Sequence, residues 1–123
     1  MVLEIKKVKM ESSFNLKREA EVNLVSLNGK LLAENEVYSI TEEVLMVIDS
    51  SFKNVVFDLS ELDYINSSGI NMFMKVITKS RVNNGEVVFS GVKGNVEKLF
   101  KIAKLNEIYT IYGSSEDALN HFK

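Results

Sequence analysis

Apolar and polar positions along the chain follow two periodicities. Short runs rich in Val, Ile, Leu and Phe indicate strands, and apolar residues three and four positions apart indicate helices. The predicted strands are residues 2–10, 21–27, 54–59, 86–90 and 108–112, and residues 11–19 are predicted as a turn. The predicted helices are residues 34–50, a segment that opens at 66–70 and ends near 83–85, a segment marked by Val96, Leu99, Phe100 and Ala103, and a closing segment that begins at Ser114 or Ser115.

This order of elements, ββαβαβαβα, predicts a single α/β domain over residues 1–123. We expect a mixed, mostly parallel sheet of about five strands with about four helices, because strands separated by helices pair in parallel through right-handed crossovers. The first two strands are close enough in sequence to form an antiparallel pair. The second strand is expected to stop at Asn28 and Gly29, a dipeptide suited to positive φ. Residues 54–59 show little alternation, which predicts a central strand covered on both faces.

Composition narrows the classes of function. The chain has 123 residues, 46% of them hydrophobic and 26% charged, as in an ordinary globular protein, and the absence of Cys excludes disulfides and thiolate metal sites. Its net charge of −2 argues against a nucleic-acid-binding module, which needs a clustered basic surface. Lysines come too early for a secretory signal, and no apolar run is long enough to span a bilayer. We therefore expect a cytoplasmic protein that binds neither nucleic acid nor membrane.

Residues 63–70, Asp-Tyr-Ile-Asn-Ser-Ser-Gly-Ile, carry the most informative chemistry. They are predicted as a small polar loop that leads from a buried strand into a helix. The first N–H groups of a helix lack intrahelical partners, and the helix dipole places partial positive charge there, so anions are favoured. One of the two hydroxyls, Ser67 or Ser68, can cap the helix and the other can face solvent, open to modification, and residue types alone favour Ser67 as the cap. Gly69 is expected to permit a close backbone approach.

The helix after this loop has a second apolar feature. Its core face is predicted from residues at helical spacing, namely Ile70, Phe73, Met74 and Ile77. Met72 and Val76, four positions apart, form an apolar ridge nearly opposite. A surface helix has no reason to expose such a ridge unless something covers it, so we interpret the ridge as partner-facing. The alternatives are that another part of the chain covers it, or that it makes a weak homodimer of an otherwise monomeric protein.

Catalysis has little support in the sequence. Serine chemistry needs a base within hydrogen-bond reach, and the only histidine, His121, is third from the end of the chain. The acids Asp58, Glu61 and Asp63 straddle a strand end without a second cluster of ligands, so solvated loop acids are a simpler interpretation than a cation site. We predict a non-enzymatic protein with no metal and no cofactor.

The strand at 55–59, followed by Asn-Ser-Ser-Gly-Ile at 66–70, resembles the signature of the STAS domain family, the anti-sigma factor antagonists and their relatives. In that family the loop usually reads Asp-Ser-Ser-Gly-Leu or Asp-Ser-Thr-Gly-Leu. The resemblance extends to the Leu-Asn-Gly-Lys-Leu segment at 27–31, to residues 85–105 and to residues 115–119. It implies a STAS-like fold over most of the chain.

The resemblance implies a switch in a bacterial partner-switching pathway that controls transcription. Unphosphorylated antagonists of this family bind an anti-sigma factor, often a serine protein kinase, and so free a sigma factor. Phosphorylation of the first Ser of the motif abolishes that binding, and a phosphatase is an expected further partner. The first Ser is Ser67 here, so the resemblance makes Ser67 the expected modified residue and leaves Ser68 as the expected helix cap. The expected contact surface around it is Asn66, Ser68, Gly69, Ile70 and Met72.

Two positions depart from the usual family pattern. Asn66 and Leu32 stand where many members have acids. This loss of acidity favours an alternative function, a constitutive STAS scaffold or small-ligand-binding module that is never phosphorylated. Phosphate on Ser67 would distinguish the two functions.

Overall fold

The strands and helices described here are those of a computed structural model, which covers residues 12–31 and 33–123. The strand predicted at 2–10 lies outside these described residues. So does Leu32, one of the two positions that depart from the usual family pattern. The strands are β1 (Ser12–Glu19), β2 (Val22–Leu31), β3 (Asn54–Ile65), β4 (Val87–Ser90) and β5 (Ile111–Tyr112). The helices are α1 (Glu34–Val47), α2 (Ser67–Val82), α3 (Gly94–Ile102) and α4 (Ser115–Asn120), and a short 3-10 helix lies at Leu105–Glu107.

The five strands form one sheet in the order β1-β2-β3-β4-β5. The pair β1 and β2 is antiparallel, whereas each later neighbour is parallel and is joined through a helix. The predicted mixed, mostly parallel sheet of about five strands with about four helices is confirmed, as is the order of elements from β2 onward. Within the described residues, no helix is both long enough and apolar enough to cross a bilayer.

The prediction of a turn at 11–19 is wrong, because residues 12–19 form the edge strand β1. Its polar sequence hides an alternation in which Phe14 and Leu16 pack against the core while Asn15 and Lys17 are exposed. The true turn is the next two residues, 20 and 21, which have φ values of 54° and 65°. Positive φ at both positions is what a tight two-residue hairpin turn requires.

Two further strand ends differ from the prediction. β2 continues through Asn28 and Gly29 instead of stopping there, and Gly29 has the expected positive φ, 81°. Irregularities in the pairing of β2 with β3 accommodate this stretch, as in β-bulges. β3 likewise continues to Ile65, pairing with Leu31, so residues 60–65 are strand and not loop. The strand-to-helix junction is therefore shorter than predicted and follows a paired strand directly.

The sheet is covered on both faces. Helices α1, α2 and α3 cover one face around a cluster of four buried rings, those of Phe57, Phe73, Phe89 and Phe100. The Phe57 and Phe73 ring centroids are 4.8 Å apart, and this contact packs α2 against the central strand β3. Helix α4 covers part of the other face through Ala118 and Leu119. The N-terminus of α2 is thus presented by a well-packed layer.

The predicted exposed ridge on α2 is wrong. Met72 is 1% exposed and Val76 is fully buried, because α1 packs along that flank of α2. Met74, predicted to face the core, is instead 52% exposed. A helix in this layer contacts the sheet below it and a neighbouring helix beside it, so its buried surface is wider than one stripe. The ridge is covered by this chain, which was one of the alternatives.

Candidate functional site

Asn66 caps helix α2. Its backbone is extended, with φ of −117°, and its side-chain Oδ1 accepts hydrogen bonds from the backbone N–H groups of Ser68 at 3.1 Å and Gly69 at 3.4 Å. Asn is among the best N-cap residues, because its short side chain reaches these N–H groups. The prediction that Ser68 is the cap is wrong. The helix begins at Ser67, two residues before Gly69, where it would begin if Ser68 were the cap.

The two serines of the motif occupy different environments. Ser67 is the first residue of α2 and is exposed, and its hydroxyl is not needed for the cap that Asn66 provides. Ser68 is half-buried and lines a groove between α1 and α2, together with Tyr38 and Lys75. Of the two hydroxyls, that of Ser67 is the one presented to solvent.

Gly69 lies where the helix approaches β3 most closely. A Cβ atom at this position would overlap the Ile65 side chain and would lie 3.7 Å from Leu31 Cδ2. The predicted close approach at Gly69 is confirmed. Gly69 is buried, so it positions the start of α2 without itself offering a contact surface.

Ile70 and Met72, the remaining residues of the predicted contact surface, differ in how exposed their side chains are. Ile70 is half-buried and partly accessible, whereas Met72 is buried and lines only the floor of the groove. Sequence reasoning missed Asn71 and Met74, which are exposed on the same side of α2 as Ser67. Their spacing of four and seven positions from Ser67 is the signal that could have identified them.

The charges on α2 are all positive. The helix carries Lys75, Lys79 and Arg81 and no Asp or Glu, although the whole chain has a net charge of −2. Lys79 and Arg81 lie in the last turn, where they complement the negative end of the helix dipole. At the opposite end, the partial positive charge of the dipole is directed toward Ser67. The site therefore favours negative charge at this serine.

The acids and the histidine considered for catalysis or metal binding either lie away from Ser67 or make local hydrogen bonds. Asp58 accepts a hydrogen bond from the backbone N–H of Ser60 at 3.1 Å. In residues 12–31 and 33–123, no group of three or more acids and histidines is arranged to hold a metal ion. His121 follows α4, on the sheet face opposite α2, where it contacts Glu86 at 2.9 Å and Tyr112 at 2.8 Å. It is therefore not a base for Ser67.

A small α/β domain that displays a serine at a strand-to-helix junction is the class that this fold and site define. The chain belongs to the STAS domain family, whose model matches residues 13–118. A Bordetella bronchiseptica protein described as an anti-sigma factor antagonist, BtrV, is 33% identical over 81 residues, which are 66% of this chain and 70% of that protein. An anti-sigma-B factor antagonist of Listeria monocytogenes is 29% identical over 76 residues, 62% of this chain and 59% of that protein.

Solved structures show the same fold. The anti-sigma factor antagonist SpoIIAA in its unphosphorylated form superposes with a TM-score of 0.78 at 17% sequence identity. The match covers 89% of this chain and 96% of SpoIIAA. At this level of identity the likeness concerns the fold, and the chemistry must be argued from the residues present here.

The cap gives a direct test of how the site is built. We expect Asn66→Ala to lower the free energy of unfolding by about 1 kcal/mol, because two N–H groups of α2 lose their acceptor. Asn66→Asp retains the acceptor and adds a charge that the dipole favours, so it should be neutral or stabilising by about 0.3–1 kcal/mol. Urea unfolding measures both, with Asn71→Ala as an exposed control on the same helix. An unchanged Asn66→Ala variant would contradict the assigned cap.

Proposed function

We propose that this protein is an anti-sigma factor antagonist whose binding is switched off by phosphorylation of Ser67. In the unphosphorylated state it binds an anti-sigma factor of the serine protein kinase type in the bacterial cytoplasm and so frees a sigma factor. A phosphatase restores binding. The protein acts by binding and not by catalysis. The observation that carries the proposal is the exposed hydroxyl of Ser67 at the first position of a helix that Asn66 caps.

The local structure can accept a phosphoryl group without rearranging. Phosphorylation adds about 1.5 to 2 negative charges, and the N-terminus of a helix favours such charge. The cap comes from Asn66, so modification of Ser67 removes no hydrogen bond that holds the helix. The change is therefore confined to the surface that a partner meets.

Asn66 also bears on the departure from the usual family motif. An Asp at this position would cap the helix and would place a second negative charge beside the phosphoserine. The neutral amide of Asn66 provides the same cap without that charge. The absence of the usual acid therefore leaves the cap intact and is compatible with phosphorylation at Ser67.

The proposed contact surface is centred on Ser67. Asn66, Ser68 and Ile70 flank it and are each partly accessible. Met72 is excluded because it is buried, and Gly69 contributes by placing the start of the helix.

The modification itself is the first test of the proposal. We expect protein isolated from its own cells to carry one phosphate in part of the population, and tandem mass spectrometry should place it on Ser67, the exposed hydroxyl. Ser67→Ala should abolish the signal, whereas Ser68→Ala, the matched control, should retain it. Phosphate on Ser68 would contradict the assignment. A protein that stays unmodified throughout growth and starvation would instead support the constitutive scaffold.

A further inference from the structure

An exposed apolar surface lies two turns along α2 from Ser67. Met74 is 52% exposed, and it shares the outward side of the helix with Ser67 and Ile70 because these positions are separated by three, four and seven residues. The Tyr109 hydroxyl donates a hydrogen bond to Met74 Sδ at 2.9 Å, and the neighbouring Ile108 is 66% exposed. These four residues, Ile70, Met74, Ile108 and Tyr109, are called the Met74 patch below.

Tyr109 is held firmly although its hydroxyl reaches the surface. Its ring stacks on Phe89 with centroids 4.9 Å apart and meets Phe100 edge-on at 6.3 Å. Burial raises the pKa of Tyr109, so the hydroxyl remains protonated and can donate to Met74 at neutral pH. A side chain fixed in this way loses less conformational freedom when a partner binds, which favours affinity. Met74, in contrast, is a flexible side chain suited to an adaptable interface.

A positive charge lies beside the Met74 patch. Arg81 is seven positions after Met74 and so lies on the same side of α2, and its charge lowers the pKa of the Tyr109 phenol, opposing the effect of burial. Lys79 points the other way and donates to the carbonyl of Leu45 at the end of α1. Arg81 is thus the cation of α2 that accompanies the patch, on a helix without acids in a chain of net charge −2.

We propose that the Met74 patch is a docking surface for the anti-sigma factor, and that the partner offers an apolar pocket bordered by carboxylates. This inference rests on the proposed function, because it places the same partner on the side of α2 that carries Ser67. Charge complementarity with Arg81 argues for an acidic border. A phosphoryl group on Ser67, two helical turns from Met74, would then lie within the docked face, where its bulk and charge oppose contact.

A second copy of this chain fits the surface less well. Two copies joined through the Met74 patch would each bring Arg81 to the interface, with no acid on α2 to balance it. Like charges opposed across an interface cost several kcal/mol. The observed charges therefore favour an acidic partner over a homodimer.

The test uses the full-length protein and a purified anti-sigma factor kinase from the same organism. Calorimetric titration should show that Met74→Ala and Arg81→Glu each weaken binding about tenfold or more, as expected for anchor residues. Two matched controls, Met46→Ala at another exposed Met and Lys123→Glu beside α4 on the opposite sheet face, should bind within about twofold of wild type. Binding should also weaken as salt is raised, and more steeply for wild type than for Arg81→Glu.

The outcomes separate this inference from the proposed function. If Ser67→Asp abolishes binding while Met74→Ala and Arg81→Glu bind like wild type, the docking surface is wrong and the switch stands. If wild type binds no anti-sigma factor, both the docking surface and the proposed function are wrong. Hydrogen exchange gives a second measurement, since residues 70–82 and 105–109 should be protected in the complex, and unchanged exchange there would overturn the inference. If the wild-type protein is a dimer and Met74→Ala dissociates it, the inference is also overturned, because the Met74 patch then binds a second copy of this chain.

Discussion

Ser67→Asp should weaken binding to the anti-sigma factor by about a hundredfold, whereas the free energy of unfolding should stay within about 0.5 kcal/mol of wild type. The loss is expected because a negative charge appears where the partner docks. A hundredfold loss corresponds to about 2.8 kcal/mol, which one repulsive juxtaposition with a carboxylate can supply. Stability is retained because Ser67 is exposed and the cap of α2 belongs to Asn66.

The measurement pairs calorimetric titration with thermal unfolding of the same samples. Ser115→Asp is a matched control, since Ser115 is the first residue of α4 on the opposite face of the sheet. It introduces the same charge at the same helical position, and binding should not change. A Ser67→Asp variant that binds normally, or one that unfolds, would contradict the switch as proposed here.

Gly69→Ala should lower the free energy of unfolding by about 1–3 kcal/mol, the usual cost of inserting a methyl group into a packed site. The added Cβ would overlap Ile65, the last residue of β3, which is 4% exposed and has little room to move. We also expect weaker partner binding, because relief of the overlap must shift the start of α2 and with it Ser67. The effect on stability is measured by chemical denaturation.

A double mutant tests the cause of this loss. Ile65→Ala alone should cost about 2–5 kcal/mol as a buried large-to-small change. If the overlap between Gly69→Ala and Ile65 is the cause, the double mutant should be more stable than the sum of the two changes predicts. Gly113→Ala is the control, since a Cβ there meets no atom within 4 Å. Strict additivity of the two changes would refute the proposed contact.

Sequence-based prediction failed mainly in two situations. Some segments pair with a strand that is distant in the chain, and some polar segments were assigned as loop or turn although they are strands. Residues 12–19 are polar because one face of the edge strand β1 is exposed, and only pairing with β2 shows that they are strand. Residues 60–65 were predicted as loop for the same reason, yet they pair with the end of β2. Hydrogen bonds between strands are made by the backbone, so side-chain polarity alone does not report them.

The amino-acid sequence by itself determined the order of elements from β2 onward, the strand-to-helix junction at 66–70 and the need for glycine at Gly69, because these depend on local periodicity and backbone sterics. Only the tertiary structure decided which serine is free and which methionine is exposed. Asn66 is the cap of α2 because β3 extends to Ile65. Met72 is buried because α1 packs against it, whereas Met74 remains at the surface. Helical spacing defines the sides of α2, but which side is covered depends on how a helix more than twenty residues earlier packs against it.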